Sequence, residues 1–167
     1  MNNTKRIKSI LKKLKAQNIK LIVKQSHRTP SACSVGILFY HLVCFKGDID
    51  SLNNMVLKGI LAHELVHINK NDMFIAIILP IFLITASLVL FLISHICGYL
   101  LFLFAILIIY LLLAMYTERR ADLLAAKAVG KYTIINSITV LDKLGLKSKW
   151  PHGSLEHRIK RIKNIKL

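Results

Sequence analysis

The period of the apolar positions changes along the chain, and each change predicts an element. Between Thr4 and Ala16, Ile7, Ile10, Leu11 and Leu14 fall on one helical stripe among lysines, which predicts an amphipathic helix. Such a helix either lies on a membrane surface or packs its stripe against the domain, and the two are compatible. Ile19 to Lys24 is β-branched and partly alternating, the pattern of a strand. Ser26 to Ser34 holds Pro30 and small polar residues and reads as a loop. Ala32 to Phe45 is apolar and predicts one or two strands, with Gly36 marking a bend or turn. The turn from Gly47 to Ser51 offers Asp50 or Ser51 as an N-cap. The helix that follows carries Met55, Leu57, Ile60, Leu61 and Leu65 and ends near Asn71 or Asp72.

Periodicity then disappears. From Met73 to Tyr116, 44 residues, there is no Lys, Arg, Asp or Glu. That length suits two membrane spans of about 20 residues each and a tight turn. The spans are placed at about residues 74–94 and 97–116, with the turn between Ser94 and Gly98, and Pro80 kinks the first span or marks its start. A single long core helix is excluded because so small a domain could not cover it. Beyond Tyr116 a helix continues from Thr117 through Lys127, with Gly130 as its C-cap. A scaffold helix around Thr133 to Leu144 and a short final helix capped by Ser154 complete the chain. The predicted architecture is α+β, a compact domain interrupted by a two-helix transmembrane hairpin. Its segments are 1–25 (basic helix and first strand), 26–72, the hairpin 73–116, and 117–167.

Composition agrees with a membrane protein: mean hydropathy is +0.53 and 54% of residues are hydrophobic. Net charge is +16, with nine Lys/Arg and no acid in residues 1–30 and twelve Lys/Arg against four acids in residues 117–167. A hairpin puts both basic flanks on one side, and the positive-inside rule makes that side cytoplasmic. The expected location is thus the cell (inner or plasma) membrane, multi-pass, with both termini and the site cytoplasmic. Anionic lipid is the simpler partner for such flanks, and no nucleic acid is expected. The first 70 residues hold no isolated apolar region of the signal-peptide kind, so no cleavable signal is expected. Cys33, Cys44 and Cys97 show no paired spacing and read as free thiols of a reducing compartment.

Candidate chemistry lies at both ends of the hairpin. His63-Glu64-Leu65-Val66-His67 is an HExxH pattern, whose histidines share one face of a helix and can reach a single ion. Glu64, between them, is placed to take a proton from water. Glu118 and Asp122 are likewise four apart, just past the second span. Both motifs therefore sit outside the same bilayer surface, which brings Glu118 to the histidines as a third ligand of one zinc ion. The alternative is a helix-surface carboxylate paired to Arg119 or a lysine.

Together these pieces resemble the HtpX and CAAX-prenyl-protease family of membrane zinc metallopeptidases, the gluzincins with HExxH and ExxxD. The resemblance runs from about Ser26 to the end. His63 to His67 with Asn71-Asp72-Met73 is similar to the family's HExxH segment and its downstream Asp. Glu118 to Asp122 with Ala125, Ala126 and Gly130 is similar to its ExxxD segment, and His152 to Arg158 to its C-terminal element. The resemblance implies a gluzincin domain facing the cytoplasm and an endopeptidase acting on a polypeptide substrate. Asp122 would orient a ligand histidine from behind. His152 would donate to the oxyanion with Arg158 supporting it, although the residues alone read His152 as a surface histidine. Ala32, Cys33, Ser34 and Val35 would form the edge strand that pairs with substrate. Ser31 stands where the family often has Asn, and Gly153 where Pro is usual. A single hairpin lacks the chamber of the prenyl proteases and argues against CAAX processing. The BlaR/MecR signalling peptidases have a similar helix but do not account for His152 to Arg158. Two rivals from other classes are a non-catalytic membrane adaptor and a small hole-forming or regulatory hairpin protein. Tyr40, His41 and His157 receive only packing or surface roles.

Overall fold

A computed structural model describes residues 3–26, 30–37, 40–108, 115–145 and 154–165. Its elements run α1 (Asn3–Lys13), β1 (Lys20–Gln25), β2 (Ser31–Ile37), β3 (Tyr40–Gly47), α2 (Asn54–Asn69), α3 (Asp72–Ile93), α4 (His95–Ile108), α5 (Thr117–Val129), α6 (Lys131–Lys143) and α7 (Leu155–Lys163). The fold is mostly helical α+β with a small sheet. Strand order is β1-β3-β2, with β1 parallel and β2 antiparallel to the central β3. β2 is therefore an edge strand, and Ala32, Cys33, Ser34 and Val35 lie on it, opposite Phe45, Cys44, Val43 and Leu42.

α2 is the hub, packing on α5, α6, β2 and α1. One face of it (Val56, Leu57, Ile60, Leu61, Ile68) joins Val43 and Phe45 of β3 in the main core. The stripe on α1 enters the same core, with Ile7, Ile10 and Leu11 all buried. Domain packing is thus the role the fold gives that stripe. A second cluster joins Ala62 of α2 to Ala125 and Ala126 of α5, Ile134 and Ile138 of α6, and Ile162 of α7. Small alanines let α2 and α5 approach closely, and that approach brings their polar residues together.

Three local readings change. The cap of α2 is Asn53, whose side chain accepts from the Val56 N–H at 2.9 Å. Ser51 instead donates to the Asp48 carbonyl at 2.8 Å, so the helix starts a few residues later than Asp50 or Ser51 would set it. Gly36 lies inside β2 and marks no turn. A Cβ there would come within 2.8 Å of the Ile68 Cα, so the glycine is what allows the strand to lie against α2. Pro80 falls inside α3, eight residues past its start.

α3 is the one described helix long and apolar enough to cross a membrane, at 22 residues. α4 packs against it so closely that a Cβ at Gly98 would clash with the Phe91 backbone. The described part of α4 is 14 residues, about 21 Å at ~1.5 Å per residue, against a hydrocarbon thickness of about 30 Å. The expected second span continues over residues 109–114, which lie outside the described residues, so a two-span hairpin is not established by the fold. Met115 and Tyr116 lead by a π-turn directly into α5.

Candidate metal centre

α2 presents His63 and His67 one turn apart, and α5 presents Glu118 opposite them. His63 Nε2 lies 3.1 Å from His67 Nε2 and 3.1 Å from Glu118 Oε2. His67 Nε2 lies 3.6 Å from Glu118 Oε1. One donor atom from each of the three residues falls within 4.8 Å of the others, and these residues could hold a metal ion.

Behind each imidazole stands a carboxylate. His63 Nδ1 is 3.1 Å from Asp122 Oδ1, and His67 Nδ1 is 2.8 Å from Asp72 Oδ2. Each carboxylate is in turn held by an arginine. Arg158 of α7 donates from Nε and Nη2 to the two Asp122 oxygens at 2.8 and 2.7 Å, and Arg120 of α5 pairs with Asp72. These contacts assign Nδ1–H to each ring and leave both Nε2 lone pairs facing one point with the Glu118 carboxylate. Three acceptors converging on one point repel each other unless a cation sits among them. The donor set, two imidazoles and a carboxylate, is that of a zinc site with an open fourth position.

The electrostatics carry the same signature. Burial disfavours a charged His63, but its hydrogen bonds to Asp122 and Glu118 outweigh burial and push its pKa up to about 10. Burial would raise the Asp122 pKa, yet His63 and Arg158 hold it down at about 2. Binding of a metal ion at such a site competes with protons for the imidazole nitrogens.

A cleft of about 360 Å³ opens in front of the cluster. Glu64 lines it beside His63, His67 and Glu118, with Ala32, Cys33, Ser34 and Gly36 of β2 along one wall and Met73 and Ala76 of α3 on another. Val35 is not among the lining residues. Burial and the cross-strand Cys44 push the Cys33 thiol up, so it stands in the cleft as a neutral thiol.

Two site residues gain partners that the sequence does not show. Arg158 is tied to Asp122, and through it to His63; its expected partner His152 lies outside the described residues. Asp72 and Arg120 form a supporting pair for His67 that the sequence reading left without a role. The signal was present in Asn71-Asp72 after the second histidine.

Helical imidazoles with a carboxylate from a second helix, facing an open cleft beside an edge strand, define a candidate hydrolytic metal centre. The family model for Peptidase family M48 matches residues 3–166, and the chain belongs to that family of metallopeptidases. No curated protein and no solved structure matches it.

Either supporting carboxylate can be tested alone. Asp72→Asn and Asp122→Asn each replace the anionic acceptor behind an Nδ1–H with a neutral, less basic amide, and each is expected to lower zinc affinity about 10–100-fold. Competition with a chromophoric chelator measures this. An unchanged affinity in both would show that the carboxylates do not act on the ligands.

Proposed function

We propose that the chain is a membrane-embedded, HtpX-like zinc endopeptidase whose site lies at the cytoplasmic membrane surface. The observation that carries this reading is the convergence of His63 Nε2, His67 Nε2 and the Glu118 carboxylate on one point at the cleft floor. His63, His67 and Glu118 would hold the ion, with Asp122 and Asp72 fixing the imidazoles. Zinc in such a site supplies Lewis acidity and makes water a nucleophile at neutral pH. Glu64 accepts the proton of the attacking water and returns it to the leaving amine. β2, with a free edge along the cleft, adds the substrate as a further strand through main-chain hydrogen bonds. Such pairing selects extended backbone rather than a particular side chain.

Membrane embedding is supported by α3 and α4. Large apolar side chains stand exposed along both, Leu92 at 80% and Ile96 at 73% among them. A contiguous apolar surface of that kind marks a membrane or partner face. We read α4 and the residues after it as the second span, which returns the chain to the side of Glu64. The basic flanks then face the cytoplasm. In this topology Cys97, at the hairpin turn, reacts with a membrane-impermeant maleimide from outside the cell and not from the cytoplasm. Cytoplasmic labelling would overturn the orientation.

The activity itself is tested with detergent-purified protein and casein. Cleavage that 1,10-phenanthroline abolishes and added zinc restores is the expected result. Cleavage indifferent to the chelator would overturn the metal mechanism.

A further inference from the structure

A second cavity, of about 380 Å³, lies on the far face of α5 from the metal cluster's carboxylate. Tyr116, Arg119, Arg120, Leu123, Leu124 and Lys127 line it, at the i, i+3, i+4 spacing of one helix face. Three cations therefore surround it, and no carboxylate is among its lining residues. Ile165, beyond α7, adds to the apolar floor made by Leu123 and Leu124. Arg120 spends part of its guanidinium on Asp72, but its buried Nε–H has no hydrogen-bond partner among the described residues. Arg161 of α7 adds positive charge nearby: burial first, then repulsion from Arg119, depresses its pKa.

The position along the chain matters as much as the charge. Tyr116 is the last residue of the charge-free segment, and α5 continues from it without a break. Arg119 and Arg120, three and four residues on, lie about 4.5–6 Å further along the helix axis at ~1.5 Å per residue. The headgroup layer occupies about 5–8 Å outside the hydrocarbon on each side, so a hydrocarbon boundary at Tyr116 would put the backbone at both arginines at phosphate depth. The ring of Tyr116, with Arg120 5.4 Å from its centroid, has the amphipathic character of an interfacial anchor.

We propose that this cavity binds the headgroup of an anionic phospholipid, with Arg119 and Arg120 at the phosphate and Lys127 closing the outer end. The apolar floor excludes water and strengthens the cation–phosphate attraction. This inference rests on the reading of the charge-free segment as membrane-embedded.

The test offers detergent-purified protein an equal mixture of phosphatidylglycerol and phosphatidylcholine and reads the retained lipid by native mass spectrometry. The wild type is expected to prefer phosphatidylglycerol. The double variant Arg119→Gln/Lys127→Gln should lose that preference by about fivefold per cation, about 25-fold in all. The charge-matched variant Lys46→Gln/Lys143→Gln, at exposed positions away from the cavity, should keep it. An equal loss in both variants would reduce the effect to net charge and overturn the site. Displacement of the lipid by inorganic phosphate would assign the cavity to a free anion and overturn the lipid assignment. Flotation of the wild type with neutral phosphatidylcholine vesicles separates the two readings. Failure to float would remove the membrane reading and this proposal together, whereas flotation without lipid preference would remove the proposal alone.

Discussion

Glu64→Gln is expected to reduce peptide hydrolysis by about 10²–10⁴-fold while leaving the metal in place. The side chain keeps its size and its position on α2, and it lines the cleft without being one of the three residues whose donor atoms converge. What it loses is the capacity to accept a proton. The water that attacks the peptide carbonyl then has no base beside it, and the leaving amine has no proton donor. Zinc content measured alongside casein turnover separates this from a folding or binding defect. Turnover near the wild-type rate would exclude Glu64 as the base.

Glu118→Gln is expected to act at the earlier step. The change neutralises the only carboxylate in the converging set and replaces an anionic oxygen with a weakly basic amide oxygen. The loss of zinc affinity should exceed the ~100-fold that bounds removal of an outer carboxylate such as Asp122. Hydrolysis falls with the metal. Zinc content after exhaustive dialysis checks the order: Glu118→Gln lower than Asp122→Asn, and Asp122→Asn lower than wild type. An unchanged content in Glu118→Gln would remove that residue from the ligand set.

The two histidines were legible because an i, i+4 pair on a helix has only one face to share, and no tertiary information is needed to see it. Glu118 was legible from the lengths of the apolar stretch, which return the chain close to where it left. Asp72 was hidden by geometry. Five residues after His67 on an unbroken helix, it would point well away from that ring. The break comes at Asn71, in the left-handed region at φ 51°, where Asn is tolerated far better than most residues. That single residue redirects the chain and swings Asp72 back onto His67 Nδ1. The contact of Arg158 with Asp122 was not legible, because it spans 36 residues and depends on how α7 lies against α5.

The sheet shows the same limit. Each strand could be read from its own composition, but the order β1-β3-β2, which leaves β2 with an open edge, is set by pairing between distant segments. Gly36 looked like a bend because a glycine in a strand carries that signal. Its cause is the Ile68 backbone, which belongs to another element. The end of the expected second span has no local mark, since an unbroken apolar run offers no cap, charge or period to show where the chain turns.

The central claim is that His63, His67 and Glu118 form one zinc site in a peptidase cleft. The metal content of the purified wild-type protein, measured by mass spectrometry of the elements, tests it most directly. About one zinc per chain, lost on treatment with 1,10-phenanthroline together with casein cleavage, is the predicted result. A folded chain that carries no zinc and takes none up when it is supplied would contradict the account.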